Sequence, residues 1–155
     1  MPFALSVYRK AVEMKGMKFL LIWKYDKTEH DALDEQNIPK FHLDLNMYQR
    51  SCDFFLGVPT NIASMSLLLL IIAKASNMVA GVSNWVGGDT HLYVDHMPMA
   101  KEQLERRPFP LAEVKINKKL DCLDDILALT IDDFELNTYI SHETIKAELF
   151  VGNKK

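Results

Sequence analysis

The sequence predicts an α+β domain in which a mixed sheet packs against one buried apolar helix. Strand-like segments rich in aliphatic and aromatic residues are mixed with helical patterns, without the strict alternation of a parallel α/β fold. Residues 61–76 form a helical segment that is apolar almost all round, which is typical of a buried helix. The chain has 155 residues, of which 48% are hydrophobic and 25% charged, so it can bury the core of one domain.

The first predicted elements are a helix and a pair of strands. Residues 4–15 have apolar positions three and four apart, which predicts a short amphipathic helix that ends at Gly16. The aliphatic and aromatic segment 17–25 predicts a strand, and residues 42–50 predict a second one by their period-two pattern. Residues 26–40 are acidic and join the two strands, so we expect a solvated loop that closes a β-hairpin.

The later elements follow from glycine, proline and apolar patterning. Residues 57–59 (GVP) predict a turn that leads into the apolar helix. Residues 82–94 are apolar but interrupted by two glycines, which predicts a strand approached closely by another backbone. Residues 96–106 predict a helix that ends before two prolines, and residues 111–116 and 134–140 predict late strands.

Composition and charge exclude several classes of function. The formal net charge is −3, so the chain has no basic excess for a nucleic-acid backbone and we expect no nucleic-acid partner. The longest apolar run, residues 67–73, is far shorter than the roughly 18 residues of a membrane span, so we expect no membrane association. Residues 1–10 lack a signal-peptide layout, and two cysteines form no disulfide framework. We therefore expect a cytoplasmic protein.

Two motifs carry the functional signal. The first is YQRSCD at residues 48–53, followed by LGVP at 56–59 and NIAS at 61–64. The second is GGDTHLY at residues 87–93. With KEQL at 101–104 and DFEL at 133–136, they resemble the C-terminal half of thymidylate synthases over residues 42–147. The resemblance implies the C-terminal portion of the thymidylate synthase fold as a single domain over 1–155, without the family's N-terminal half. Residues 1–40 are divergent, and residues 148–155 form an altered tail.

The resemblance implies a wall that binds a deoxynucleotide such as dUMP. Arg50 and Ser51 would bind the 5′-phosphate, because a guanidinium fork matches phosphate oxygens. Asn61 would read the pyrimidine edge, since a carboxamide offers the donor and the acceptor that uracil complements. His91 and Tyr93 would bind the deoxyribose 3′-hydroxyl. Without the resemblance, these residues would be a surface ion-pair partner, a strand residue, a helix N-cap and a packed aromatic pair.

The resemblance also implies a folate cofactor, methylene-tetrahydrofolate. Asp53 would bond the pterin, and Gly87 and Gly88 would let backbone approach the ring and the cofactor closely. Gly57 and Gly88 are expected, with Asp53, among the cofactor-binding residues. We expect no metal site, because the histidine and acids of the loop match no ligand spacing. Those residues are His30, Asp31, Asp34 and Glu35.

The family's nucleophile is the residue that this chain does not supply. In the family it is a cysteine in a Pro-Cys-His motif on an earlier strand, and residues 17–25 contain no such motif. Met17 or Lys18 falls near the expected position. We expect Cys52 to be a small buried hydrophobic residue and Cys122 to be structural, so no catalytic residue is assigned.

Three functions remain open from the sequence. The first is thymidylate synthase-type reductive methylation of dUMP to dTMP, in which this chain supplies the nucleotide-binding half and is inactive alone. The second is a catalytically dead protein that binds a deoxynucleotide or interacts with a synthase, including a remnant without activity. The third is part of a dUMP hydroxymethylase. The expected ligand is a dUMP-like deoxynucleotide. The expected protein partner is either a second copy of this chain in a homodimer or a chain that supplies the missing N-terminal half.

Overall fold

The computed structural model describes residues 13–14, 17–23, 39 and 41–149. Its helices and strands confirm the predicted α+β class. In chain order the elements are β1 (Glu13–Met14), β2 (Met17–Trp23), β3 (Phe41–Asp53), α1 (Gly57–Ala75), β4 (Val79–His91), a 3₁₀ turn (Val94–His96), α2 (Met97–Glu105), β5 (Glu113–Ile116), α3 (Leu123–Leu127), a second 3₁₀ turn (Ile131–Asp133) and β6 (Phe134–Asn137).

A four-stranded mixed sheet in the order β1-β2-β3-β4 forms the centre of the fold. β2 and β3 pair antiparallel from Met17↔Met47 to Trp23↔Phe41, which confirms the predicted pairing of the two strands. β3 and β4 pair in parallel, and α1 connects them across one face of the sheet. This crossover unit, β3–α1–β4, is required because parallel strands cannot be joined by a tight turn.

Two predictions for the early elements are corrected by the structure. The predicted helix 4–15 lies outside the described residues except at its end, where Glu13–Met14 instead forms β1 and pairs with β2. The predicted turn at residues 57–59 is wrong, because these residues form the first turn of α1. A proline fits there, since the first N–H groups of a helix have no partner inside it. The predicted loop 26–40 lies outside the described residues, apart from Pro39.

The core lies between β3 and α1. Leu43 and Leu45 of β3 pack against Leu69 and Ala73 of α1, and all four are buried. The packing of the apolar helix on the sheet is confirmed, and three residues of α1 are buried, Val58, Leu69 and Ala73. The sheet covers one side of the helix, and the opposite apolar side stays partly open among the described residues.

The length and composition of α1 would also suit a membrane span. It is the one helix in the described part of the chain that meets those criteria. Core helices of soluble proteins meet them too, and α1 packs on β3 and β4 through its buried residues. The sheet therefore covers one apolar side of α1. The other apolar side of the helix is partly open.

The late predicted strands form a second, two-stranded sheet. β5 and β6 pair antiparallel from Glu113↔Asn137 to Ile116↔Phe134. Both strands are shorter than predicted. β6 ends at Asn137, because the next residue, Thr138, has a φ of 56° that a continuing strand cannot adopt. Lys74 at the end of α1 donates to the carbonyl of Ile116, which joins this small sheet to the core.

Candidate functional site

The carboxyl ends of β3 and β4 meet the first turns of α1 at one end of the crossover unit. Asp53 at the end of β3 pairs with His91 at the end of β4, and the N–H of Phe54 donates to the His91 carbonyl at 2.9 Å. Ligands of open α/β sheets bind outside the carboxyl ends of their strands. We call Asp53, Gly57, Asn61, His91 and Tyr93 the strand-end cluster.

Asp53 shapes the turn between β3 and α1. Its Oδ1 accepts the N–H groups of Phe55 at 3.2 Å and Leu56 at 3.4 Å. A Cβ on Gly57 would lie 3.4 Å from the Asp53 Cβ and 3.9 Å from the Asn61 Nδ2. One space is therefore bordered by Asp53, Gly57 and Asn61. The sequence analysis assigns Asp53 and Gly57 to the cofactor and Asn61 to the nucleotide.

Asn61 lies inside α1 rather than at its N-cap. The helix begins at Gly57 and its N-cap residue is Leu56, so Asn61 falls in the second turn. The alternative that Asn61 caps the apolar helix is thus wrong, and its half-buried carboxamide is not consumed by capping. Reading a base edge remains a prediction for this side chain.

His91 and Tyr93 lie side by side, as expected for residues two apart on extended chain. Their ring centroids are 5.1 Å apart in an edge-to-face arrangement. The Nδ1 of His91 lies 3.2 Å from the Asp89 carbonyl oxygen and 3.8 Å from the Asp89 carboxylate. The pair is therefore oriented locally, while its predicted contact with a sugar stays a prediction.

Arg50 and Ser51 lie on the last part of β3, two to three residues before Asp53, and both are exposed. Strand alternation gives Ser51 the same face as Asp53 and gives Arg50 the opposite face. Arg50 lies beside Gly88, where a Cβ would come within 2.9 Å of the Arg50 carbonyl oxygen. The lack of a side chain at Gly88 thus permits close approach of β3 and β4, as the two glycines predict. In the described part of the chain, the Arg50 guanidinium does not contact the strand-end cluster.

Gln49 and Trp85 were not singled out by the sequence, yet their contacts involve the end of β3 that carries Ser51. The Gln49 Nε2 donates to the Ser51 carbonyl at 3.0 Å, and its Oε1 accepts the Trp85 indole N–H at 2.8 Å. Gln49 belongs to the first motif, but only the β3–β4 register reveals its partner on the neighbouring strand.

The two cysteines have structural positions. Cys52 is fully buried and its thiol donates to the Gln49 carbonyl at 3.2 Å, as a small buried residue would. Cys122 is exposed at the N-cap of α3, where its thiol donates to the Asp125 carboxylate. The N–H of Asp121, which donates to Asp125, lowers the pKa of this carboxyl most, and the Cys122 thiol lowers it further.

Within the described ranges, no three histidine, cysteine or acidic residues gather as metal ligands would. The grouping His30, Asp31, Asp34 and Glu35 lies outside those ranges.

Comparison with known proteins agrees with the motifs and the fold. Residues 18–151 match the family model for thymidylate synthase. The chain belongs to the thymidylate synthase family. A thymidylate synthase of Sinorhizobium fredii (strain NBRC 101917 / NGR234) is 44% identical over 109 residues. Those residues are 70% of this chain and 35% of the relative, so the match spans about a third of that thymidylate synthase.

Proposed function

We propose that this chain supplies the nucleotide-binding part of a thymidylate synthase-type reductive methylation of dUMP to dTMP. The supporting observation is the strand-end cluster, in which Asp53 and His91 pair directly beside Gly57 and Asn61. In this proposal the Asn61 carboxamide donates to one uracil carbonyl and accepts the ring N–H. His91 and Tyr93 bind the 3′-hydroxyl, and Arg50 and Ser51 bind the 5′-phosphate.

The cofactor proposed for this reaction is methylene-tetrahydrofolate, which supplies the one-carbon unit and the hydride. Asp53 fits a contact with it, because the turn to α1 engages only its Oδ1. Oδ2 is then available for the N–H groups of a pterin. Gly57 and Gly88 would leave room for the ligands beside β3.

The reaction needs a thiolate that adds to C6 of the pyrimidine, and the thiolate is not assigned to this chain. Cys52 is buried with its thiol donating to the Gln49 carbonyl, and Cys122 is the N-cap residue that precedes α3. We propose that the thiolate comes from polypeptide outside these 155 residues. These residues alone are then expected to release no tritium from C5-labelled dUMP supplied with folate. Release that Cys52→Ala abolishes would contradict this assignment.

A second face supports association with another polypeptide. Tyr48 and Val86 pair across β3 and β4 on the side of the sheet opposite α1, and both are exposed. Asn84 donates to Asn46 at 3.0 Å on the same side. We propose that this sheet face joins two copies of the chain back to back, and that the open side of α1 contacts the polypeptide that carries the thiolate.

A second candidate function is a deoxynucleotide-binding protein without catalysis. It is favoured by the absence of a Pro-Cys-His motif from the sequence and by the buried position of Cys52. Both candidate functions use the same nucleotide site. They are distinguished by adding a polypeptide that carries the thiolate and measuring turnover of dUMP. Turnover that appears only in the mixture supports the synthase function.

The nucleotide site itself is tested by titrating dUMP in ligand-observed NMR. We expect a Kd on the order of 10⁻⁴ M or weaker, because each phosphate arginine that is missing removes about 1.5–3 kcal/mol. Arg50→Ala should weaken binding on the order of 10- to 100-fold, beyond detection. Arg107→Ala, which removes an exposed guanidinium elsewhere, should leave binding unchanged. Equal binding by the two variants would refute the phosphate role of Arg50.

A further inference from the structure

A cavity of about 300 Å³ lies at the end of α1 that faces away from the strand-end cluster. Its apolar wall includes Leu70 and Ala73 of α1, Met78 and Ala80 around the start of β4, and Val114 and Ile116 of β5. A helix of 19 residues spans about 28 Å. The cavity and the proposed nucleotide site are therefore at opposite ends of the crossover unit.

The size and lining of the cavity suit a small aliphatic molecule. An apolar cavity of about 150 Å³ holds a benzene molecule, so one twice as large accommodates about ten non-hydrogen atoms. Among the described lining residues there is no aromatic side chain on which a flat ring could stack. An aliphatic tail needs no such partner, because each CH₂ group gains from leaving water.

Lys74 supplies the charged group of the cavity. Its ammonium donates to the Ile116 carbonyl in a partly buried hydrogen bond, which places the charge beside the apolar wall. An ammonium has three donors, so two remain for a ligand. No acidic residue is among the described lining residues, and no described carboxylate forms an ion pair with Lys74. The electrostatics of the cavity therefore favour an anionic head group.

Asn77 is the second polar residue that lines the cavity. Its backbone N–H donates to the Lys74 carbonyl at 3.2 Å, so the two polar residues are joined at the end of α1. A carboxamide offers two N–H donors without a charge of its own. Together, the ammonium and the carboxamide match the two oxygens of a carboxylate.

We propose that this cavity binds a small monocarboxylate with an unbranched aliphatic tail of about four to six carbons. The tail lies against the apolar wall, and the carboxylate accepts hydrogen bonds from the Lys74 ammonium and the Asn77 carboxamide. The proposal does not depend on the proposed function, because the cavity shares no lining residue with the strand-end cluster.

Hexanoate is the probe for this site, and hexanol is its neutral counterpart. Titration of the 155-residue chain, followed by ligand-observed NMR, should give hexanoate a Kd on the order of 10⁻³ M. Hexanol should bind at least about tenfold more weakly, because it lacks the charge-assisted hydrogen bond. Butanoate should also bind about tenfold more weakly, because it buries two fewer CH₂ groups. No binding of hexanoate, or equal affinity for hexanoate and hexanol, would overturn the proposal.

Three variants locate the site. Lys74→Met keeps an apolar stem without the ammonium, so it should weaken hexanoate at least about tenfold and leave hexanol within about twofold. Lys115→Met is the matched control, because Lys115 is exposed on β5 and does not line the cavity; it should change neither affinity.

Asn77→Asp adds a carboxylate beside the head group and should weaken hexanoate but not hexanol. This variant decides the proposal if Lys74→Met also loses hexanol, which would show that the cavity has collapsed. Unchanged hexanoate affinity in Asn77→Asp, or equal losses in Lys74→Met and Lys115→Met, would overturn the site.

Discussion

Asn61 is the single residue whose chemistry sets the choice of base in the proposed site. Its carboxamide matches uracil, whereas a carboxylate accepts hydrogen bonds and cannot donate them. Asn61→Asp should therefore lower the preference for dUMP over dCMP at least about tenfold, the effect of one unpaired polar contact. Ligand-observed NMR titrations with the two nucleotides measure the ratio.

The matched control for that substitution is Asn77→Asp, at the opposite end of α1. Asn77 has a φ of 51°, a conformation that aspartate also tolerates, so the change in charge is the same and the backbone is preserved. We expect the control to leave the ratio of dUMP to dCMP affinity unchanged. Equal binding of dUMP and dCMP by the wild-type chain would contradict the role of Asn61 in recognising the base.

Residues were predictable where the signal lies within one motif, and not where it depends on a distant partner. Asn61, His91 and Tyr93 were expected from short motifs, and the structure brings them to one end of the crossover unit. His96 was not, because its partner is a backbone carbonyl 52 residues away, and a carbonyl leaves no trace in residue identity. The Gln49–Trp85 contact depends on strand register in the same way.

At the scale of elements, the packing of α1 on β3 carries the core. Leu69 is buried against Leu43 and Leu45, so Leu69→Ala should lower the free energy of unfolding by about 2–5 kcal/mol. Leu104→Ala on α2 should change it by less than about 0.5 kcal/mol, since Leu104 is 85% exposed. Urea denaturation measures both. Similar losses in the two variants would show that α1 does not form the core.

The short 3₁₀ turn at Ile131–Asp133 makes stability sensitive to acid. The Thr130 N–H bonded to Asp133 lowers the pKa of that carboxyl, with help from the Thr130 hydroxyl and Lys118. Because this pKa is lower in the folded state, the carboxylate stabilises the fold when the pH is above the pKa of the unfolded chain, about 4. The stabilisation is lost as the pH falls through the lower pKa of the folded state. Asp133→Asn should therefore lower the Tm at pH 7, and its difference from the wild type should shrink towards pH 2.

The control for this pH effect is Asp132→Asn, which makes the same change in charge one residue earlier. Thermal unfolding followed by circular dichroism at several pH values compares the three proteins. A difference between the wild type and Asp133→Asn that stays constant with pH would show that the carboxylate bond to Thr130 does not contribute.

The element boundaries show what the sequence pattern captures and what it misses. β2 and β3 were predicted as partners because one loop joins two strand-like segments, and their antiparallel pairing confirms it. α1 was predicted too short, because a Gly-x-Pro signal suits a turn and also suits a first helical turn, where a proline lacks only an unused N–H. The pairing of β5 with β6 is a tertiary contact, and the sequence of neither strand indicates its partner.

At the scale of the whole molecule, the sheet face opposite α1 predicts self-association. Val86 is 45% exposed and lies opposite exposed Tyr48, which forms an apolar patch across two strands. Val86→Lys should therefore shift a dimer towards monomer, raising the dissociation constant at least about tenfold by burying an unpaired charge. Sedimentation equilibrium measures the shift.

Val94→Lys is the control for that prediction, because Val94 is 83% exposed on the 3₁₀ turn after β4 and lies outside the patch. It should leave the association constant unchanged. A wild-type chain that sediments as a monomer at high concentration would contradict the association itself.

The crossover unit β3–α1–β4 also has a consequence for inheritance. Phe41–His91 contains each predicted nucleotide and cofactor contact except Tyr93, two residues beyond it. The parallel pairing of β3 with β4 brings their carboxyl ends together, so these predicted contacts lie on a continuous stretch of chain. A gene can be divided or recombined upstream of Phe41 without parting the recognition residues from one another. Under the proposed function, base recognition and bond-making chemistry can then be carried by separately evolving coding segments, each under its own selection.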